Sequence, residues 1–274
     1  MLHDVRAEIL AQSRRPAHYL LLCVAVVLNL TFSYLVPYLS YAGGPSGRPD
    51  GDRGLEAMLP DAFVASALGG MPVFVGALSV VFGVLVAGSD YAWETWKTVL
   101  SQQGSRISVF AAKVLVITLG TAVLVVALFV ADAGAGVLVA GLEDRSASMP
   151  EIAEVATGFA AATLVCTMWA MLGAVLAIAL RGVALPIGLG LVWMLAVQNL
   201  LTALAAPLLD WVAEAQKYLP GPNVGSLVAG LGAFPGTPGV SSVMSSTHAT
   251  LVAAVYLAGS AVVAGWLLHR RDIA

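Results

Sequence analysis

Residues 62–113 read AFVASALGGMPVFVGALSVVFGVLVAGSDYAWETWKTVLSQQGSRISVFAAK. The first 26 of them, residues 62–87, contain no charged side chain. At about 1.5 Å per helical residue that is enough to cross the ~30 Å hydrocarbon core of a bilayer. Polarity then changes abruptly through Ser89, Asp90, Glu94, Lys97 and Arg106, and a second apolar run opens at Lys113. The stretch is therefore a span, a charged connection and the start of another span.

The same alternation continues outward from it. Of 274 residues, 59% are hydrophobic and 11% charged, and the mean hydropathy is +0.90. A soluble domain carries about 25% charged residues, so soluble and disordered classes are excluded. The pattern predicts an all-α integral membrane protein, a single transmembrane domain of six helices over 17–39, 62–87, 113–133, 155–180, 183–204 and 249–268. Residues 17–39 follow Arg14, Arg15 and Pro16, exceed a signal-peptide core and lack a small-residue cleavage site, so they read as a retained helix. Asp61 is placed to cap the second span, and Gly69, Gly70 and Pro72 to kink it. The Gly182–Pro186 turn makes spans four and five antiparallel neighbours.

Orientation follows from the Lys/Arg bias. With both termini cytoplasmic, the inner segments hold nine basic residues: Arg6, Arg14, Arg15, Lys97, Arg106, Lys113, Arg181, Arg270 and Arg271. Only Arg48, Arg53, Arg145 and Lys217 remain outside. The expected location is the inner (plasma) membrane of a bacterium, and the net charge of −3 gives no reason to expect nucleic acid.

Three flanking segments are predicted besides the spans. Residues 1–15 form an interfacial helix, with Leu2, Val5, Ile9 and Leu10 on its apolar side and Asp4, Arg6 and Glu8 elsewhere. Residues 40–60 are a polar external loop rich in Gly, Pro and Asp. Residues 207–247 are external but too apolar for plain loop: 208–219 has helical spacing, 223–231 suggests a second short helix, and neither is long enough to span.

The connection at 89–105 is the most informative segment. Asp90 can cap a helix that Gly104 ends, and Ser105 can cap the next one. Ala92, Trp93, Trp96, Val99 and Leu100 form one stripe, with Glu94, Lys97, Thr98 and Ser101 opposite. Such a helix can lie among lipid headgroups, or dock a cytoplasmic partner through Asp90, Trp93, Glu94, Thr95, Trp96, Lys97 and Arg106. Arg14, Arg15, Lys113 and Arg181 share that cytoplasmic interface.

The docking reading is favoured because no energy source is visible elsewhere. Ion-driven transporters carry ionisable groups at membrane depth. Here Asp132 is the one acidic candidate, and it reads as an interface-level carboxylate. Asn29, Gln198 and Asn199 are the main interior amides, suited to interhelical hydrogen bonds or to a substrate pathway. No lysine sits in a G-x-x-x-x-G-K-[ST] loop, and no G-x-S-x-G elbow is present. His3, His18, His248 and His269 are isolated, so no metal or haem set is expected. Cys23 and Cys166 read as small apolar residues. The chain is expected not to be an enzyme by itself.

These features resemble the permease subunit of ABC-2 type ABC transporters. Asp90 stands at that family's acidic position, Thr95 at its Thr, Ser105-Arg106 at its Ser-Arg turn and Lys113 at the opening of its third span. Glu94 replaces the usual Gly, and Gly104 the usual Pro. Tyr218-Leu219-Pro220 followed by Asn223 is similar to the family's outer segment. The resemblance implies a cytoplasmic ABC ATPase partner that binds ATP and Mg, a second permease copy or relative, and no cofactor in this chain. It also implies a coupling helix at 89–105 and export of a hydrophobic, lipid-like, peptide or drug-like substrate. Two other classes compete: a non-transporting immunity or assembly protein that binds a partner through the same helix, and an intramembrane enzyme. No carboxylate pair or Ser/His set at membrane depth favours the last.

Overall fold

The computed structural model describes residues 2–43, 54–92, 106–202 and 207–270, and among these every regular element is helical. A short helix α1 (Leu2–Ser13) precedes α2 (Pro16–Ala42), α3 (Pro60–Ala92), α4 (Arg106–Leu142) and α5 (Ile152–Leu180). Then come α6 (Ala184–Leu200), the short α7 (Asp210–Ala215), α8 (Pro220–Gly230) and α9 (Ser246–Arg270). Helices α2, α3, α4, α5 and α9 are long and apolar enough to cross a membrane. Helix α6, the fifth expected span, has 17 residues. Two short helices, α7 and α8, fall within the segment 207–247.

Local chemistry explains most boundaries. Pro16 and Pro220 open α2 and α8 at the first helical position, where a missing N–H costs nothing. Arg181 ends α5 in the left-handed region (φ +52°), its N–H bonded to the Ala177 carbonyl. Asp61 does not cap α3. It is exposed within a 3₁₀ turn, Pro60–Ala62, and no side chain caps the helix that follows. The kink expected at Gly69–Pro72 is a π-helical segment, Met71–Val75. Similar segments interrupt α2 at Thr31–Leu35, just before Pro37, and α6 at Val192–Val197. A proline removes one ladder bond, and a π turn absorbs the mismatch.

Helices α3 and α5 form the centre. A methyl group on Gly83 would strike the Ala170 carbonyl, and one on Gly173 the Val80 carbonyl, so the two backbones cross in contact. Trp169, Met168, Met171 and Leu68 fill the core around the crossing, and Cys166 Sγ lies 3.5 Å from Met71 Sδ. The outward faces of α2, α4, α6 and α9 carry Val27, Leu39, Val123, Val130, Val192, Trp193, Val255 and Val262, all exposed. Apolar surface on that scale needs a lipid or protein cover.

Two ends are distinguishable. At one, α1 packs on the start of α4, Gly88 approaches Gly182 and Gly265 approaches Phe110. At the other, Tyr38 and Tyr41 donate to Glu143, Gly136 touches Pro60, and Gly230 meets Ser246. Helix α4 extends beyond the expected 113–133 in both directions. Of the glycines in its second half, Gly136 serves close approach to Pro60, and Gly134 and Gly141 face open space.

Candidate functional site

At the first end, a polar cluster ties four helices. Lys113 on α4 has only 2% of its side chain exposed, and a buried ammonium is tolerated only when paired. Its Nζ lies 2.6 Å from Asp90 Oδ2 on α3 and 3.0 Å from Glu8 Oε1 on α1. It also donates to the Val86 carbonyl at 3.4 Å. Glu8 accepts from Gln12 Nε2 at 2.6 Å, and Gln12 Oε1 meets His18 Nε2 at 2.7 Å. Arg15 Nη1 donates to the Ser89 hydroxyl, and Ser108 donates to Asp4. That bond from Ser108 holds the Asp4 carboxyl below the usual carboxylate range.

Helix α1 therefore turns its polar side to α4. Asp4, Glu8 and Gln12, four residues apart, face α4, while Ile9 (42%) and Leu10 (48%) are exposed. Hydrogen bonds and ion pairs outcompete apolar burial here because α4 presents Lys113 and Ser108 to it. The resulting α1 has a buried polar face and an outer apolar one.

Asp90 does not begin a new helix. It is buried inside α3, whose last residues, Ser89–Ala92, were expected to belong to the coupling segment. Trp93, Glu94, Thr95, Trp96 and Lys97 lie outside the described residues, as do Gly104 and Ser105. Arg106 is the first residue of α4. Of the expected interface residues, Lys113 and Arg15 join the cluster. Arg14 is exposed at the α1–α2 link, and Arg181 is exposed at the α5–α6 turn. Glu8, Gln12, His18, Ser89 and Ser108 were not anticipated. The four-residue spacing of Asp4, Glu8 and Gln12 was the one legible signal, since the partners lie about 100 residues away.

The three interior amides are not brought together. Asn29 is buried on α2 and its Nδ2 donates to Asp132 Oδ1 at 2.6 Å. Asp132, expected as an interface-level carboxylate, is the acceptor of that bond. It is fully buried within α4, ten residues before the helix ends. Asn29 lines a cavity of about 360 Å³ between α2, α3 and residues 234–238. Gln198 and Asn199 line a second one, about 300 Å³, between α3, α6, α8 and residues 239–243. Gln198 Oε1 accepts from the Gly221 N–H at 2.7 Å, whereas Asn199 is exposed and bonds its own helix at Leu195. The π segment Met71–Val75 contributes to both cavities.

No curated protein matches the chain. A family profile described as "Protein of unknown function (DUF2705)" matches residues 20–274. The match takes in every helix from α3 to α9 and most of α2, and the chain belongs to the DUF2705 family.

Proposed function

We propose that the chain is the membrane subunit of an ATP-driven transporter of ABC-2 type, with a separate cytoplasmic ATPase docked on residues 93–105. The observation carrying this reading is the Lys113 cluster. Residues 93–105 leave α3 and return through α4, and Lys113 locks those two helices to each other and to α1 within a few residues of the connection. A partner moving the connection would therefore move α3 and α4 together, which is the rigid mount that transmission to a bistable bundle requires. The two cavities beside the π-kinked part of α3 lie where that motion would be felt.

In this reading α6 is the fifth of six spans and both termini are cytoplasmic. Parity supports it. Helices α2 and α9 both have their basic extremities at the cluster end, marked by Arg15 against Ser89 and Gly265 against Phe110. An even number of crossings is then needed, and α6 supplies the last by running antiparallel to α3, from Gly182 beside Gly88 to Met194 beside Gly76. A second copy or relative of the chain would complete the pathway, and the cargo would be a hydrophobic, lipid-like, peptide or drug-like molecule.

The test is affinity purification of the tagged chain from its native membrane in mild detergent. A stoichiometric soluble ATPase is expected, lost when Trp93 and Trp96 are changed to Ala while the chain still inserts. A monodisperse chain with no ATPase would favour the non-transporting, partner-binding class.

A further inference from the structure

A third cavity, about 320 Å³, lies at the cluster end between α1, α2, α3 and α4. The Phe82 ring of α3 forms its floor, packed so closely that a methyl group on Gly120 of α4 would strike it. Leu22 of α2 and Val116, Leu119 and Leu124 of α4 wall it. Along α4 that wall rises about 12 Å, most of the ~15 Å of hydrocarbon in one leaflet. Leu119 and Val123 are exposed on the outer face of α4, as Tyr19 is on α2, so the groove opens sideways to lipid. Its polar side chains are engaged locally: His18 Nε2 meets Gln12 Oε1 at 2.7 Å, and the Tyr19 hydroxyl donates to the Ser13 carbonyl at 2.8 Å. The groove itself is an apolar slot.

Its rim is cationic. Arg6, Ile9 and Ser13 follow one another at i, i+3 and i+7 along one flank of α1, and Ile9 and Ser13 line the groove. Arg14 continues that edge into the link to α2. Both arginines are exposed, and no carboxylate among the described residues pairs with either. The acids nearby are already answered, Asp4 by Ser108, and Glu8 and Asp90 by Lys113. A guanidinium stays charged at any working pH, so this edge is permanently positive and open to an incoming anion. Tyr19 stands at the same height, and aromatic side chains with a polar tip collect at headgroup level. An apolar slot beneath a basic edge matches a lipid with a negatively charged head.

We infer that this groove holds an acyl chain of an anionic phospholipid whose phosphate lies between Arg6 and Arg14. The assignment stands apart from the ATPase-coupled reading, because the bilayer supplies the ligand and no partner protein is needed to observe it.

Native mass spectrometry of the delipidated full-length protein in mild detergent tests it. Dioleoyl phosphatidylglycerol and dioleoyl phosphatidylcholine are titrated in turn, so that the chains stay constant and only the head changes. The first phosphatidylglycerol is expected to bind at least about tenfold more tightly than the first phosphatidylcholine. In the double variant Arg6→Gln, Arg14→Gln the two affinities should come within about threefold of each other. Leu22→Trp, which fills the groove while leaving both arginines in place, should weaken phosphatidylglycerol binding about tenfold or more. Glycerol 3-phosphate, a phosphate head without chains, should not displace the lipid. Equal affinities in the wild type overturn the inference, as does a preference that survives the double substitution. Unchanged binding in Leu22→Trp, or displacement by glycerol 3-phosphate, overturns it equally. Should Leu22→Trp not fold, the wild-type series and the arginine variant, whose altered side chains are exposed and unpaired, decide alone.

Discussion

Lys113 answers two carboxylates at once, and the cost of disturbing it depends on what is left behind. Lys113→Met preserves the stem but leaves Glu8 and Asp90 facing each other in a buried setting. Removing one member of such a set is expected to cost about 3–5 kcal/mol, because uncompensated charge stays buried. Neutralising the partners as well, in Lys113→Met with Glu8→Gln and Asp90→Asn, should recover most of that loss. Reversible denaturation in detergent checks both, and a single mutant no worse than the triple would contradict a buried ion cluster. At this scale the sequence was only partly legible. Lys113 and Asp90 could be recognised as significant from their places around the connection. That they touch could not, because their separation along the chain says nothing of which faces of α3 and α4 meet. The bond between Asn29 and Asp132 was illegible for a related reason: the length of an apolar run says nothing of a partner 103 residues away.

Elements were easier to read than their faces. Every expected span corresponds to a helix, since an uninterrupted apolar run has little alternative in a bilayer. The partners of the polar side of α1, Ser108 and Lys113 on α4, could not be read from residues 1–15, and the π segment in α6 has no proline to announce it. Glycines carry opposite meanings in different helices. A methyl group on Gly173 would press on the Val80 carbonyl in the α3–α5 crossing, while one on Gly134 in α4 would meet nothing within 4 Å. Gly173→Ala must separate two packed backbones and is expected to cost about 1–3 kcal/mol or more. Gly134→Ala should instead be neutral or stabilising by about 0.5–1 kcal/mol, through helix propensity alone. Unfolding midpoints of the two variants in one detergent would show the contrast. Equal effects would mean that α3 and α5 do not cross at these glycines.

For the molecule as a whole, the charges sort by end. The cluster end carries Arg6, Arg14, Arg15, Lys113, Arg181 and Arg270, against Asp4, Glu8 and Asp90. The opposite end carries Glu56, Asp61, Glu143, Asp144, Glu151, Glu154, Asp210 and Glu214, against Arg145 and Lys217. Lys and Arg are retained on the cytoplasmic side, so the cluster end should face the cytoplasm and α6 should cross. Single cysteines in a Cys23→Ser, Cys166→Ser background test both points. Ser146→Cys lies between α4 and α5, Arg181→Cys between α5 and α6, and Leu208→Cys between α6 and α7. A membrane-impermeant maleimide added to intact cells should label positions 146 and 208, and label position 181 only after permeabilisation. Labelling of 181 alone would invert the orientation. Labelling of 146 together with protection of both 181 and 208 would mean that α6 turns back on the cytoplasmic side. The crossing number would then be odd, α9 would run the other way through the bilayer, and the junction around Lys113 could not share a side with Arg270.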